Sequence, residues 1–369
     1  MALPMIAACG GKGSSGASSD LSGGDTIPLK YATNLTLVSH GDFTEAIIRN
    51  PWDTTAVLHR YILADKSVKL PDNLPEATVV RTPLSNALVY STVHTGLLEN
   101  LGALESIGGV CNSEYVTDSL LLARIKDGKT VDCGNSMAPD IEKIILMNPE
   151  AILLSPYENN DKYGKVGNMG IPIIECADYM ENSPLARAEW MKFYGMLVGK
   201  EHAADSLFQE IDKNYTDLNF KVALSSYLPM VLMDQKYDQV WNVPAGRSTM
   251  GIYIRDAGGY NPFERFDRAG SVALSPEQVL ADAHDADIWL VRYNQKDPLT
   301  LSQLASGAGV NSQFKAFKEG NVYGCNTAYV PFYDETPFHP DLLLADMISI
   351  FHPELNIVPT KKYFSKLKE

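Results

Sequence analysis

Between residues 183 and 222 the chain reads SPLARAEWMKFYGMLVGKEHAADSLFQEIDKNYTDLNFKV, with no strand-like run, while the sequence on either side alternates strands with helices. That interruption limits the possible folds more than any other feature. Before it, ATVVRTP, SIGGVC, TVDC, AILLS and IPIIEC read as strands, separated by the helical ALVYSTVHTGLLENLGAL, VTDSLLLARIKDG and the segment from Pro139. After it, LPMVLMD, DADIWLV and GNVYGC read as strands, with TMGIYIRDAGG and a closing PDLLLADMISIFHPEL as helices. Strands alternating with helices of this length imply parallel βαβ units. Within the interruption, Ala204, Leu207, Phe208, Ile211, Tyr215 and Leu218 recur at helical spacing. Eighteen residues of such a helix span ~27 Å, enough to cross from one domain to another. The expected fold is α/β, two Rossmann-like lobes joined by one long helix.

A phrase occurs at corresponding points of the two lobes: PDIEKIILMNPEAILLS (139–155) and SPEQVLADAHDADIWLV (275–291). Each has a proline, a glutamate one or three residues later, an apolar helical segment, an acidic turn and a buried-strand run. Taken singly, Glu142 and Glu277 are explained by the helix macrodipole, which favours a carboxylate in the first turn by about 0.3–1 kcal/mol. Ser275 as cap and Pro276 at the first helical position make the second a good helix start in any case. Their matched placement is what this account leaves over.

The 369 residues suggest two domains. A net charge of −14 argues against nucleic acid as a partner, since phosphates need a basic footprint. No run of ~20 apolar residues exists to span a membrane. At the N-terminus, Ile6-Ala7-Ala8-Cys9 has the shape of a bacterial lipobox, in which the cysteine is acylated after cleavage, and a Gly/Ser tract follows. The alternative is a chance Ala-Ala-Cys in a tail. The division expected is residues 1–9 as the remnant of a lipoprotein signal and 10–27 as a flexible tether spanning ~23 Å. A β-rich extension (28–77), the first lobe (78–200), the connecting helix (201–222) and the second lobe (223–369) follow. Cys111 and Cys133 each end a strand-like run and are either bridged or buried free thiols; no CxxC is present.

Taken together, the glutamate-led helix before NPEAILL, the SPLARAEW…YGMLVGKEHAADSLF connector, VWNVPAGRSTMGIYIRDAGG, SPEQVLADAHDADIWL and HPDLLLADMISIFHPEL resemble one family. It is that of the substrate-binding lipoproteins of ABC importers for iron–siderophore complexes, haem and cobalamin, and the resemblance runs from about residue 78 to 355. It implies a monomer held outside the cytoplasmic membrane by a lipid on Cys9, periplasmic or otherwise extracytoplasmic. It implies a metal chelate as ligand, with no cofactor, no catalysis and no nucleic acid. In that family a surface glutamate on each lobe meets arginines of a two-fold symmetric permease. By position these correspond to Glu142 and Glu277, which accounts for the repeat. The stiff connector further implies a small closure on binding.

Open α/β sheets bind ligands beyond the carboxyl ends of their strands. The residues expected there are Arg81, Tyr115, Tyr157, Tyr179 and Met180 in the first lobe. In the second they are Trp241, Arg247, Tyr253, Arg292, Tyr293, Phe332 and Tyr333. Aromatic faces suit flat ligands and guanidinium forks suit anionic ones. Glu181, Arg187, Glu189 and Trp190 read instead as packing and ion-pair residues. The seven histidines (His40, His59, His94, His202, His284, His339 and His352) are scattered without an HxH pair, which speaks against a bare-metal site. His202, His284 and His352 are expected at the surface. Two alternatives remain: a corrinoid ligand in the same fold, and a lipoprotein serine hydrolase in which Ser136 of GNSMA is the nucleophile. The carboxylates of YDETPFHPD have, from sequence, no geometry that makes them acid–base groups.

Overall fold

The computed structural model describes residue 21 and residues 23–158, 163–223 and 225–369. Cys9 and most of the expected tether lie outside the described residues. The β-rich extension is a five-stranded sheet of β1 (Asp25–Ile27), β2 (Leu35–Ser39), β3 (Phe43–Arg49), β4 (Val57–Asp65) and β5 (Thr78–Thr82), in sequential order. The first four pair antiparallel and β5 lies parallel to β4. Its inward face, Leu35, Leu37, Ala46, Ile48, Tyr61, Leu63 and Val80, joins the main core. The run ATVVRTP therefore completes this sheet rather than opening the first lobe.

The first lobe is an all-parallel sheet of β6 (Ala87–Val89), β7 (Ile107–Val110), β8 (Val131–Asp132), β9 (Ala151–Leu154) and β10 (Ile173–Glu175), in the order β10-β9-β6-β7-β8. Its central strand comes from residues expected to be helical. Ala87–Val89 is too short to interrupt the helical period of the adjoining segment, and the helix begins only at Thr92, capped by Ser91. The second lobe has β11 (Val231–Met233), β12 (Trp241–Pro244), β13 (Ser271–Leu274), β14 (Ile288–Tyr293), β15 (Val322–Asn326) and β16 (Ser365–Lys366). β11, β14 and β15 are parallel, β16 is antiparallel to β15, and β12 and β13 form a separate pair. Trp241, Trp289 and Phe314 pack ring to ring in its core.

Helices Pro184–Glu189, Met191–Val198 and Glu201–Val222 join the lobes. The last spans ~33 Å and buries Ala204, Phe208, Ile211, Tyr215 and Val222, with Leu207 and Leu218 packed at the margin. Gly195 lets it turn back on its predecessor, because a Cβ there would lie 2.7 Å from the Ala204 Cβ. Three buried carboxylates tie this joint together. Glu189 accepts the backbone N–H groups of Lys30, Tyr31 and Ala32 at 2.7–2.9 Å. Glu181 accepts those of Thr33 and Asn34 and the Trp190 indole N–H. Asp178 accepts from His94 Nε2 (2.9 Å), the Tyr194 hydroxyl (2.7 Å) and Arg187 Nε (2.9 Å). The packing and ion-pair roles expected of Glu181, Arg187, Glu189 and Trp190 match this arrangement.

His94 and His352 are fully buried. The surface place expected for His352 is not what the fold provides. Its Nε2 lies 3.1 Å from the Gly258 carbonyl, in room that a side chain at Gly258 would fill. At His94, burial opposes the imidazolium, but the neighbouring Cys176 and the Asp178 carboxylate outweigh it and lift the pKa to about 10. Asp178 is opposed by burial too, yet His94 and Arg187 hold it well below the usual carboxylate range.

Two outcomes are expected. Glu189→Ala strands three backbone donors and destabilises the fold by about 3–5 kcal/mol. It also accelerates amide exchange across residues 25–49; an unchanged denaturation midpoint would refute the anchoring role. His94 has its pKa raised from 6.5 to about 10 in the fold. Its contribution is therefore complete below pH 6.5 and lost as pH rises towards 10, whereas that of Asp178 is lost only in acid. Urea midpoints should fall across this alkaline window in the wild type and fall less in His94→Gln. Parallel profiles would show that the His94 proton does not matter.

Candidate functional site

In the first sheet the strand order reverses between β6 and β9, and their carboxyl ends deliver Tyr90 and Ser155 to one side. The ends of β7 and β8 add Asn112 and Ser136, and those of β14 and β15 add Asn294 and Thr327 from the other lobe. Between them lies a cavity of about 890 Å³, near the top of the ~300–1,000 Å³ range of small-molecule sites. Tyr115, Met137, Tyr157, Tyr163, Phe332 and Tyr333 supply its aromatic and apolar surface. The lobes are tied beside it, where Thr92 donates a short hydrogen bond to Asp334 and Asn100 meets His339 at 3.1 Å.

Tyr115, Tyr157, Phe332 and Tyr333 are the expected residues that line the cavity. Arg292 stands behind them, its guanidinium 5.4 and 5.8 Å from the Phe332 and Tyr333 rings and forked onto Asp234 at 2.9 and 2.6 Å. The other expected residues lie outside the lining. Arg81 donates to the Asp65 and Val68 carbonyls, because its strand belongs to the N-terminal sheet. Trp241 is wholly buried in the second-lobe core and donates to the Met233 carbonyl; it sits in a strand, not a loop. Arg247 is exposed and paired with Asp267 at 2.7 Å. Tyr253 is buried with its hydroxyl on the Thr336 carbonyl. Tyr293 packs against the second-lobe core. Tyr179 donates to the Pro156 carbonyl, and the Met180 carbonyl accepts from Asn34.

Sequence reasoning missed Tyr90, Asn112, Tyr163, Asn294 and Asp334. For Tyr90 and Asn294 the signal was available, since each directly follows a strand end. The Tyr90 hydroxyl is buried without a hydrogen-bond partner, and burial raises its pKa, so it remains a neutral donor. Near it, Cys111 and Cys133 are free, buried thiols that directly follow the neighbouring strands β7 and β8, pushed up by burial to about 12 and about 11. The structure thus has the free-thiol alternative.

The Ser136 hydroxyl accepts from the Asn112 amide at 2.8 Å and its N–H donates to the same side chain. Among the described residues no histidine serves it, as a nucleophile would require. No group of three or more His, Cys, Asp or Glu among them is placed to hold a metal ion. No helix among them is long and apolar enough to cross a membrane. Glu142 lies exposed in the first turn of helix Ile141–Met147, and Glu277 in the first turn of Pro276–Ala283, which Ser275 and Gln278 close with a capping box.

Comparison with known proteins places these features in context. The chain is similar to an uncharacterized lipoprotein of Methanocaldococcus jannaschii, 26% identical over 88% of this chain and 82% of that one. Its fold is similar to that of a possible iron-binding periplasmic solute-binding protein from Staphylococcus epidermidis, with a TM-score of 0.57 and 18% identity over 73% of this chain and 100% of the other. It is likewise similar to a periplasmic haem-binding protein from Pseudomonas aeruginosa, with a TM-score of 0.56 and 14% identity over 77% and 98%. Residues 88–329 match the model of the family described as "Periplasmic binding protein". With two parallel-sheet lobes, a long joining helix and a cavity between strand ends, the chain belongs to the periplasmic binding protein family.

Proposed function

We propose that the protein captures a metal chelate, a ferric siderophore or haem or alternatively a corrinoid, outside the cytoplasmic membrane and delivers it to an ABC permease. The observation that carries this reading is the interlobe cavity, large, aromatic and formed at the carboxyl ends of both sheets. Solved structures of similar fold include an ABC-type Fe3+-hydroxamate transport protein from Saccharomonospora viridis, at 16% identity and TM-score 0.56, besides the iron- and haem-binding proteins above. The lipoprotein names among the relatives support a lipid on Cys9 as the anchor.

Docking rests on Glu142 and Glu277. Both are exposed at helix starts and neither has an ion-pair partner among the described residues. One turn beyond Glu142, Ile145 and Leu146 are exposed at the i+3 and i+4 positions, so the carboxylate and two apolar side chains share a face. Arginine–carboxylate pairs are bidentate and directional, which suits registration of one lobe on each permease subunit. The joining helix and the Thr92–Asp334 tie favour a small closure over a wide hinge, so the radius of gyration should change little on loading.

In cells depending on this protein, Glu142→Ala with Glu277→Ala should lower chelate uptake by about tenfold or more, at ~1.4 kcal/mol per factor of ten. Purified protein should keep its chelate affinity. Undiminished uptake would remove the docking role, and lost affinity would show that the variant had damaged the cavity instead.

A further inference from the structure

Which chelate enters is set by charge as well as by size and shape. Only two of the described residues lining the main cavity are ionisable as strong charges: Lys165, exposed on a short helix of the first lobe, and Asp334 from the second. None is an arginine. The guanidinium that stands against the lining, that of Arg292, is forked onto Asp234, and Arg187 is paired with the buried Asp178. The positive end of helix Thr92–Asn100 reaches the cavity, but Asp334 already occupies it by accepting from the Thr92 hydroxyl.

Next to this end a second cavity of about 270 Å³ shares Thr92, Thr117, Pro331 and Asp334 with the first and is lined further by Glu99, Asp118 and Glu335. Four carboxyl groups therefore gather at one end of the cleft, although burial and the neighbouring Asp118 push Glu99 up to about 7 and burial raises Asp334 as well. Lys361 offsets one of them, Glu335, at 3.0 Å. The chain as a whole carries 45 acidic against 31 basic side chains. A cleft between low-dielectric walls focuses such a field, so an anion entering it is repelled.

The remaining lining is neutral and carries hydrogen-bonding groups, the phenols of Tyr90, Tyr115, Tyr157 and Tyr333 and the amide of Asn294, whereas the Tyr163 hydroxyl already donates to Glu175 and the Asn112 amide is bonded to Ser136. We infer that the site selects a chelate without net negative charge, bound by aromatic faces and neutral donors to its carbonyl, amide or hydroxamate oxygens. This inference rests on the chelate-binding reading and narrows it: neutral hydroxamate complexes and neutral corrinoids fit the cleft, whereas tris-catecholate complexes do not.

The test is calorimetric titration of the full chain with four probes at low and high salt. Two are neutral, the ferric trihydroxamate ferrichrome and cyanocobalamin. Two are anionic, the trianionic ferric enterobactin and haemin with its two propionates. Calorimetry is preferred to indole fluorescence because Trp190, Trp241 and Trp289 are all buried away from the cavity. A neutral probe should bind at least about tenfold more tightly than either anionic one, a gap of ~1.4 kcal/mol. Its affinity should be nearly independent of salt, whereas any anionic binding should strengthen as salt screens the carboxylates.

Asn294→Arg, which places a guanidinium at an exposed point of the lining, should narrow that gap severalfold. Asp334→Asn should narrow it in the same direction. An anionic probe that binds as tightly as the neutral ones, or better, overturns the charge inference while leaving chelate capture in place. Absence of binding by all four overturns the chelate reading and the inference with it.

Discussion

The structure depends on how three carboxylates are held out of water within twelve residues. Asp178, Glu181 and Glu189 are all buried where the first lobe ends and the connector begins. A buried carboxylate costs several kcal/mol unless hydrogen bonds and opposite charges compensate it. Here the donors come from two other parts of the chain as well as from the connector itself. Asp178 takes them from the helix after β6 and from the connector, and Glu181 and Glu189 take theirs mainly from residues 30–34. Desolvation thus makes the N-terminal sheet, the first lobe and the joint mutually dependent. Asp178 is left short of a donor without the helix after β6, and Glu181 and Glu189 without residues 30–34.

This dependence explains why the extension behaves as part of the body rather than as an appendage. Its sheet buries one face in the same core as the first lobe and the connector. Lys30 and Tyr31 both reach Asp212 on the joining helix, at 2.6 Å. The family match begins only at residue 88, so β1 to β5 lie outside the shared pattern while contributing to its core.

Much of the fold was legible in the sequence, and the failures have identifiable physical causes. Parallel strands buried on both faces appear as short apolar runs, so β7, β9, β10, β11, β14 and β15 were readable, and the joining helix stood out by its period. The central strand β6 was not, because three residues leading into an amphipathic helix leave no change of period. Thr78–Thr82 looks like a first βαβ strand, and only its pairing with β4 reveals otherwise. The site was harder. The search beyond strand ends brought in Tyr115, Tyr157 and Tyr333, which line the cavity. Composition then misled: tryptophan and arginine are attractive as ligand contacts, but Trp241 fills a core, Arg292 and Arg247 pair with carboxylates and Arg81 bonds backbone carbonyls. A side chain's type suggests what it is able to bind, and only its neighbours show whether that capacity is already used.

The same distinction separates the two classes of acidic residue in this chain. Acids that are paired or bonded, such as Asp178, Asp234 and Glu189, contribute to architecture, and their removal is felt as instability. Glu142 and Glu277 are exposed and without an ion-pair partner among the described residues, so the fold loses little without them. Their helix starts would lose only about 0.3–1 kcal/mol of macrodipole interaction with neutral residues there, since Asp140 and Ser275 already cap the two helices. In the docking role proposed above, a charge that the fold does not need, repeated at corresponding points of two lobes, meets a surface outside the molecule. That proposal draws on the joining helix and the Thr92–Asp334 tie, which link the two lobes and so set the separation of the two carboxylates.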